Sequence, residues 1–93
     1  MVIGVLEVEL FIPDAQSLKD KRSAVKSLKG QISHHFNVAV AELDPNVKWQ
    51  RAAVGITTVS DDRQSVDGCL HQVVEWIRGN RFVELIRVNQ EIF

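Results

Sequence analysis

Residues 2–32 read VIGVLEVELFIPDAQSLKDKRSAVKSLKGQI, and the spacing of their apolar side chains changes period once. Val2, Gly4, Leu6, Val8, Leu10 and Ile12 alternate with a set that includes Glu7 and Glu9, the period-two pattern of a strand with one buried face. From Leu18 onward, Leu18, Val25, Leu28 and Ile32 recur with the 3.6-residue period of a helix. The change falls at Pro13-Asp14-Ala15-Gln16, read as a turn, after which Ser17 and Asp20 have the spacing of a capping box. This stretch therefore predicts a strand and then a helix of about four turns beginning at Leu18.

Downstream, Phe36, Val38 and Val40 alternate with Asn37, Ala39 and Ala41, predicting a second strand that ends near Leu43, before a turn at Asp44-Pro45-Asn46. Gln50 to Asp61, rich in Ala, Val, Ile and Thr, reads as a third strand. Asp61 and Asp62 start a second helix over about Arg63 to Arg78, with Val66, Leu70, Val73, Val74 and Ile77 facing inward. Gly79-Asn80 is expected to end it as a left-handed cap. Val83 to Phe93 is the last strand, and its apolar phase slips between Leu85 and Ile86, as at a bulge or an overhanging edge. The order β-α-β-β-α-β predicts an α+β, ferredoxin-like sandwich: a four-stranded antiparallel sheet with two helices on one face. Right-handed crossovers place the first and third strands in its centre.

A chain of 93 residues suits one domain, residues 1–93, with one core. Its 45% hydrophobic and 25% charged residues exclude a disordered polyelectrolyte. The start MVIGVLEVEL has no basic leader and carries Glu7 and Glu9, so neither a secretory signal nor a membrane span is expected and the location is read as cytoplasmic. A single cysteine, Cys69, allows no intrachain disulfide and no Cys-based metal cluster.

The net charge of −1 is unevenly spread. Between Ser17 and His35, Lys19, Lys21, Arg22, Lys26 and Lys29 stand against Asp20 alone, five minus one or +4, leaving −5 for the rest. Three of these cations lie in the first turns of the helix, where its dipole disfavours positive charge. The second helix follows the dipole rule, with Asp61 and Asp62 at its start and Arg78 at its end. On a helical wheel Lys19, Arg22, Lys26 and Lys29 form a stripe beside the apolar sector, and Lys21 falls at the apolar edge, its stem on the core and its ammonium expected in water. Two readings stand: a solvated face, or a surface for phosphates combined with a positive helix terminus.

The run Ser17-Leu18-Lys19-Asp20-Lys21-Arg22, with Phe36-Asn37-Val38, Ala41-Glu42 and Trp49-Gln50-Arg51-Ala52, resembles the bacterial YlxP-like family, a domain-of-unknown-function family, over nearly the whole chain. The resemblance implies a ferredoxin-like fold and no assigned activity. It also implies a gene that often sits among transcription-elongation and translation-initiation genes, which raises an RNA or ribosome connection.

Catalytic chemistry is not indicated. His34 and His35 are adjacent, so they point apart and lack a third ligand at helical spacing; a role at the helix C-terminus fits them better. Cys69 and His71, two apart on a helix, do not face one another as nucleophile and base, and Cys69 reads as a small residue flanking the core. Glu7, Glu9 and Arg51 meet on the uncovered sheet face, where a cross-strand ion pair is expected and a flat surface offers no pocket to shift a carboxylate. No catalytic residue, metal or cofactor is assigned. The third strand has no aromatic, so base stacking on the open sheet is not expected and any RNA should meet the first helix. Trp49 and Trp76 are expected at the core margin, with Trp49 alternatively a partner anchor.

The uncovered sheet face should present Ile3, Val5, Phe11, Ala39, Ala41, Ala53 and Gly55, an apolar patch that suggests a homodimer. Two functional expectations follow. The first is a small cytoplasmic non-enzymatic protein that binds RNA or a ribosomal particle through Lys19, Lys21, Arg22, Lys26 and Lys29. The second is a homodimeric regulatory or scaffolding module whose basic helix meets an acidic protein partner or which holds a small ligand.

Overall fold

The computed structural model describes residues 1–44 and 49–93 in full. The elements run β1 (Val2–Phe11), α1 (Leu18–His35), β2 (Ala39–Lys48), β3 (Arg51–Ser60), α2 (Arg63–Arg78) and β4 (Glu84–Ile92). All strand pairs are antiparallel in the order β2-β3-β1-β4, with β1 and β3 central as the crossover rule requires. The ferredoxin-like architecture is thus present, with both helices on one face of the sheet.

Even-numbered positions of β1 and β3 point toward the helices. Leu6, Val8 and Leu10 meet Val54 and Ile56 across the central pair, each no more than 1% exposed. Val25, Leu28 and Ile32 close this layer from α1, and Leu70, Val73 and Ile77 close it from α2. Each such side chain is worth about 1.5–3 kcal/mol by burial. α1 lies over β2 and the near side of β3, whereas α2 lies over β1, β4 and β3. At one end the helices are joined by aromatic contacts, Trp76 of α2 lying 5.6 Å from the His35 ring and 6.4 Å edge-on from Phe36. Trp76 therefore sits at the core margin as expected.

Several local features depart from the sequence reading. Trp49 does not begin a strand or cover the core: it lies with Gln50 in the turn joining β2 to β3 and is 52% exposed. β2 continues past Leu43 because its register against β3 shifts between Leu43 and Lys48, and Asp44 takes a left-handed φ of 48°. The Pro45-Asn46 part of the expected turn lies outside the described residues. Gly79 is not left-handed either, with φ −79° and ψ −6°. The Asn80 carboxamide accepts the Phe82 N–H at 2.8 Å and turns the chain itself, so no positive φ is needed. The slip in β4 is a bulge: Glu9 faces Arg87 and Leu10 faces Leu85, leaving Ile86 as the extra residue.

Both helix starts are capped. Ser17 Oγ accepts the Asp20 N–H at 3.1 Å, and the Asp20 carboxylate reaches back to the Gln16 N–H at 3.0 Å, one residue before the usual capping-box partner. Asp62 accepts the Ser65 N–H at 3.0 Å and the Ser65 hydroxyl at 2.8 Å. These bonds, the hydroxyl first, hold its carboxyl below the ordinary value of 3.8. A depressed folded pKa stabilises the fold above the unfolded value and loses that contribution as pH falls through the folded one. Asp62→Ala should therefore lower the thermal midpoint at pH 7 and flatten the stability loss below about pH 4. Thermal melts from pH 7 down to pH 2 test this, and parallel acid limbs for the two proteins would contradict it.

Candidate nucleic-acid interface

α1 divides its surface between core and solvent at the spacing i, i+4, i+7, i+11. Lys21, Val25, Leu28 and Ile32 are the buried positions. Leu18, placed in the apolar stripe from sequence, is 37% exposed at its lip, and Lys21 takes its place inside. The expected position of Lys21 is thereby corrected. Its side chain is 0% exposed, and its ammonium lies 3.8 Å from Glu42 Oε2 on β2 rather than in water. Among the described residues neither Lys21 Nζ nor Glu42 Oε2 has a hydrogen-bond partner. Lys21 is consequently removed from the candidate phosphate-binding set. Glu42 itself is a residue that the sequence reading missed. The signal was present: Glu42 is in phase with Val38 and Val40 on the core-facing side of β2, opposite a lysine at a core-facing helix position.

The remaining cations lie on the solvent side of α1. Lys19, Arg22 and Lys26 are exposed and Lys29 is half-buried. Among the described residues Lys19, Lys26 and Lys29 make no ion pair. The ten residue steps from Lys19 to Lys29 rise by about 15 Å along the helix axis, long enough to follow several phosphates of a strand that carries one charge per ~3.4 Å of axis. Asp20, turned back to the Gln16 N–H, lowers the local charge at the N-terminal end only. At the other end, His35 Nδ1 donates to the Gln31 carbonyl at 3.0 Å, the expected C-terminal role. Arg78 of α2 pairs with Glu75 at 3.8 Å.

Among the described residues, two depressions bear on the candidate sites. One, of about 250 Å³, runs between α1 and the segment after α2, floored by Ile12, Ala15, Leu28 and Val83 with Phe82 on its wall. Its charged lining is Asp14 and Asp20, with no cation, so it disfavours phosphate. The other, of about 290 Å³, lies on the open sheet face among Glu7, Glu9, Leu43, Arg51, Ala53 and Arg87. The face expected to be flat is therefore concave. The hollow exists because Ala53 has too little side chain to fill the space between Leu43 on one side and Glu7, Glu9 and Arg87 on the other.

The expected interface residues all belong to this open face. Ile3, Phe11, Ala53 and Gly55 are half-buried, and Val5, Ala39 and Ala41 are exposed. They do not form an unbroken apolar patch, since Glu7 and Glu9 sit between Val5 and Phe11 on β1. Arg51 donates to Glu9 Oε1 at 2.9 Å, the cross-strand pair anticipated from sequence. Among the described residues no group of three or more His, Cys, Asp or Glu is placed to hold a metal ion. No helix among them is long and apolar enough to cross a membrane.

The family described as protein of unknown function (DUF503) matches residues 3–90 of the chain. The chain is also 37% identical over 76 residues to the uncharacterized protein YlxP of Bacillus subtilis (strain 168), covering 82% of this chain and 83% of that relative.

Proposed function

The chain belongs to the DUF503 family, and we propose that it is a small non-enzymatic protein that binds RNA, free or within a ribosomal particle, through the exposed face of α1. The observation that carries this reading is the set Lys19, Lys26 and Lys29, which have no ion pair among the described residues. Arg22 lies between them on the same face. Lys19 and Arg22 stand where the helix dipole makes each exposed cation unfavourable by about 0.3–1 kcal/mol at low salt. Such placement is costly to the fold and suited to a polyanion. Cytoplasmic residence belongs to the same proposal.

Salt dependence tests it. Affinity for single-stranded RNA should fall with salt at a log–log slope of about −3, near 0.7 for each of four phosphate contacts. Lys26→Ala should reduce that slope by about 0.7. Lys19→Gln with Arg22→Gln should remove association with RNA and with ribosomal particles in cell extract while leaving the thermal midpoint unchanged or slightly raised. RNA binding that survives this double change overturns the reading. Loss of binding together with loss of stability also counts against it, because the cations would then be supporting the fold.

A further inference from the structure

We propose that the RNA held by α1 is single-stranded and that Trp49 stacks on one of its bases; this rests on the RNA reading above and adds the contact that selects the strand. Trp49 is 52% exposed in the turn between β2 and β3 and is not among the residues packed against the core. A bare indole on a turn is a flat apolar surface with one N–H, the kind of side chain on which an unpaired base stacks.

Hydrogen bonds fix where this turn lies. The Gln50 carbonyl accepts the Ile12 N–H at 2.8 Å, and the Gln50 carboxamide donates to the Pro13 carbonyl at 3.4 Å, so the turn is tied to the start of the β1–α1 connection. Lys21 of α1 meets Glu42 of β2 at 3.8 Å, which seats the first turns of the helix above the same end of β2. Glu42 pairs with Val54, and Arg51 lies three residues before Val54 on β3. The turn therefore projects about 10 Å beyond the Lys21–Glu42 contact. Lys19 and Arg22 lie on the exposed side of that same helix start. With a base on Trp49, the phosphates of the adjoining nucleotides run onto Lys19 and Arg22 and then along Lys26 and Lys29.

Phe82 supplies the contrast at this end of the molecule. It is 64% exposed, but it lines the depression between α1 and the segment after α2, where the charged neighbours are Asp14 and Asp20. Asp20, Ala24 and Gln31 line that flank of α1. At 100° per residue Arg22, Lys26 and Lys29 fall on the other flank, toward β2, and the turn that carries Trp49 belongs to this cationic side. The remaining acids nearby are engaged or turned elsewhere. Glu9 is held by Arg51 at 2.9 Å, Asp20 reaches back to the Gln16 N–H, and Glu42 lies beneath the helix against Lys21. Asp44 lines the hollow of the open sheet face, and Glu84 lies on β4 at the far edge of the sheet.

Charge alone favours a duplex, because each phosphate contact contributes about 0.9 to the salt slope on a duplex and about 0.7 on a single strand. Bases inside a duplex offer no free face to an indole, so preference for the single strand reports stacking. A single-stranded RNA of about 12 nucleotides, within the usual range of site sizes, should bind roughly tenfold tighter than its duplex with the complementary strand. Trp49→Ala should lower the single-strand affinity by roughly tenfold, the effect of one stacked base, and leave the salt slope and the duplex affinity unchanged. Trp49→Phe should keep most of the affinity, and Phe82→Ala should keep all of it. In NMR spectra of the native protein the Trp49 indole N–H signal should move on adding the single strand, while that of Trp76, packed against His35 and Phe36, stays in place. RNA binding that is indifferent to Trp49→Ala, or equal for the two forms of RNA, overturns the stacking and leaves the RNA reading standing. Binding of neither form overturns both.

Discussion

Glu42→Leu is expected to destabilise the protein by about 3–5 kcal/mol, the loss that follows when one member of a buried ion pair is removed. The reason lies in what it leaves behind. Lys21 Nζ is fully buried, has Glu42 Oε2 at 3.8 Å as its compensating charge, and has no hydrogen-bond partner among the described residues. Without the carboxylate the ammonium stays beneath α1 with neither a counter-charge nor water. Lys21→Met should cost much less, because the Glu42 side chain retains 15% exposure and can turn toward solvent. The pair itself does not have to be stabilising, since charge desolvation opposes attraction. Lys21→Met combined with Glu42→Leu should accordingly come back to native stability or exceed it. Urea unfolding of the four proteins checks the cycle, with the slope m unchanged among them. Equal losses in the two single variants would show that the ammonium reaches water after all.

Gly4→Val should cost about 3 kcal/mol, toward the upper end for overpacking. Gly4 occupies a core-facing position of β1 directly beneath Val66 and Leu70 of α2. A Cβ placed there would overlap Val66 Cγ1 and stand 2.9 Å from Leu70 Cδ1. Val66 is β-branched and cannot swing its methyl away as a long side chain could. The helix must shift instead, which strains the contacts of Leu70, Val73 and Ile77 together. Gly4→Ala should lie between native and Gly4→Val, whereas Gly30→Ala, with nothing within 4 Å, should stabilise by a few tenths of a kcal/mol through helix propensity. Thermal melts of the three variants at one pH rank them, and a native-like Gly4→Val would mean that α2 is not seated as described.

Gly4 also shows how far the sequence could be read. Its place among Leu6, Val8 and Leu10 assigned it to the buried face of β1, but alternation carries no information about which helix residue lies above it. That depends on the seating of α2 against the sheet, a distance no local pattern encodes. Lys21 follows the same logic from the other side. Helical spacing puts it at the edge of the apolar sector of Val25 and Leu28, and its charge argued for an ammonium in water. That expectation is overturned only by Glu42, which arrives from β2 across a separation of 21 residues.

What the sequence determined by itself was the order of elements, their periodicity, the two caps at Ser17 and Asp62, the slip at Ile86 and the α+β class. All of these rest on local chemistry: side-chain period, turn residues, and hydrogen bonds spanning three or four residues. The tertiary structure alone decided that Lys21 lies inside, that Trp49 stands exposed in a turn, that Gly79 needs no left-handed cap, and that the open sheet face is concave rather than flat. Each of these depends on groups brought together from distant parts of the chain. The energy of a charge or of a small side chain is set by the atoms packed against it, and those are chosen only when the strands pair and the helices dock.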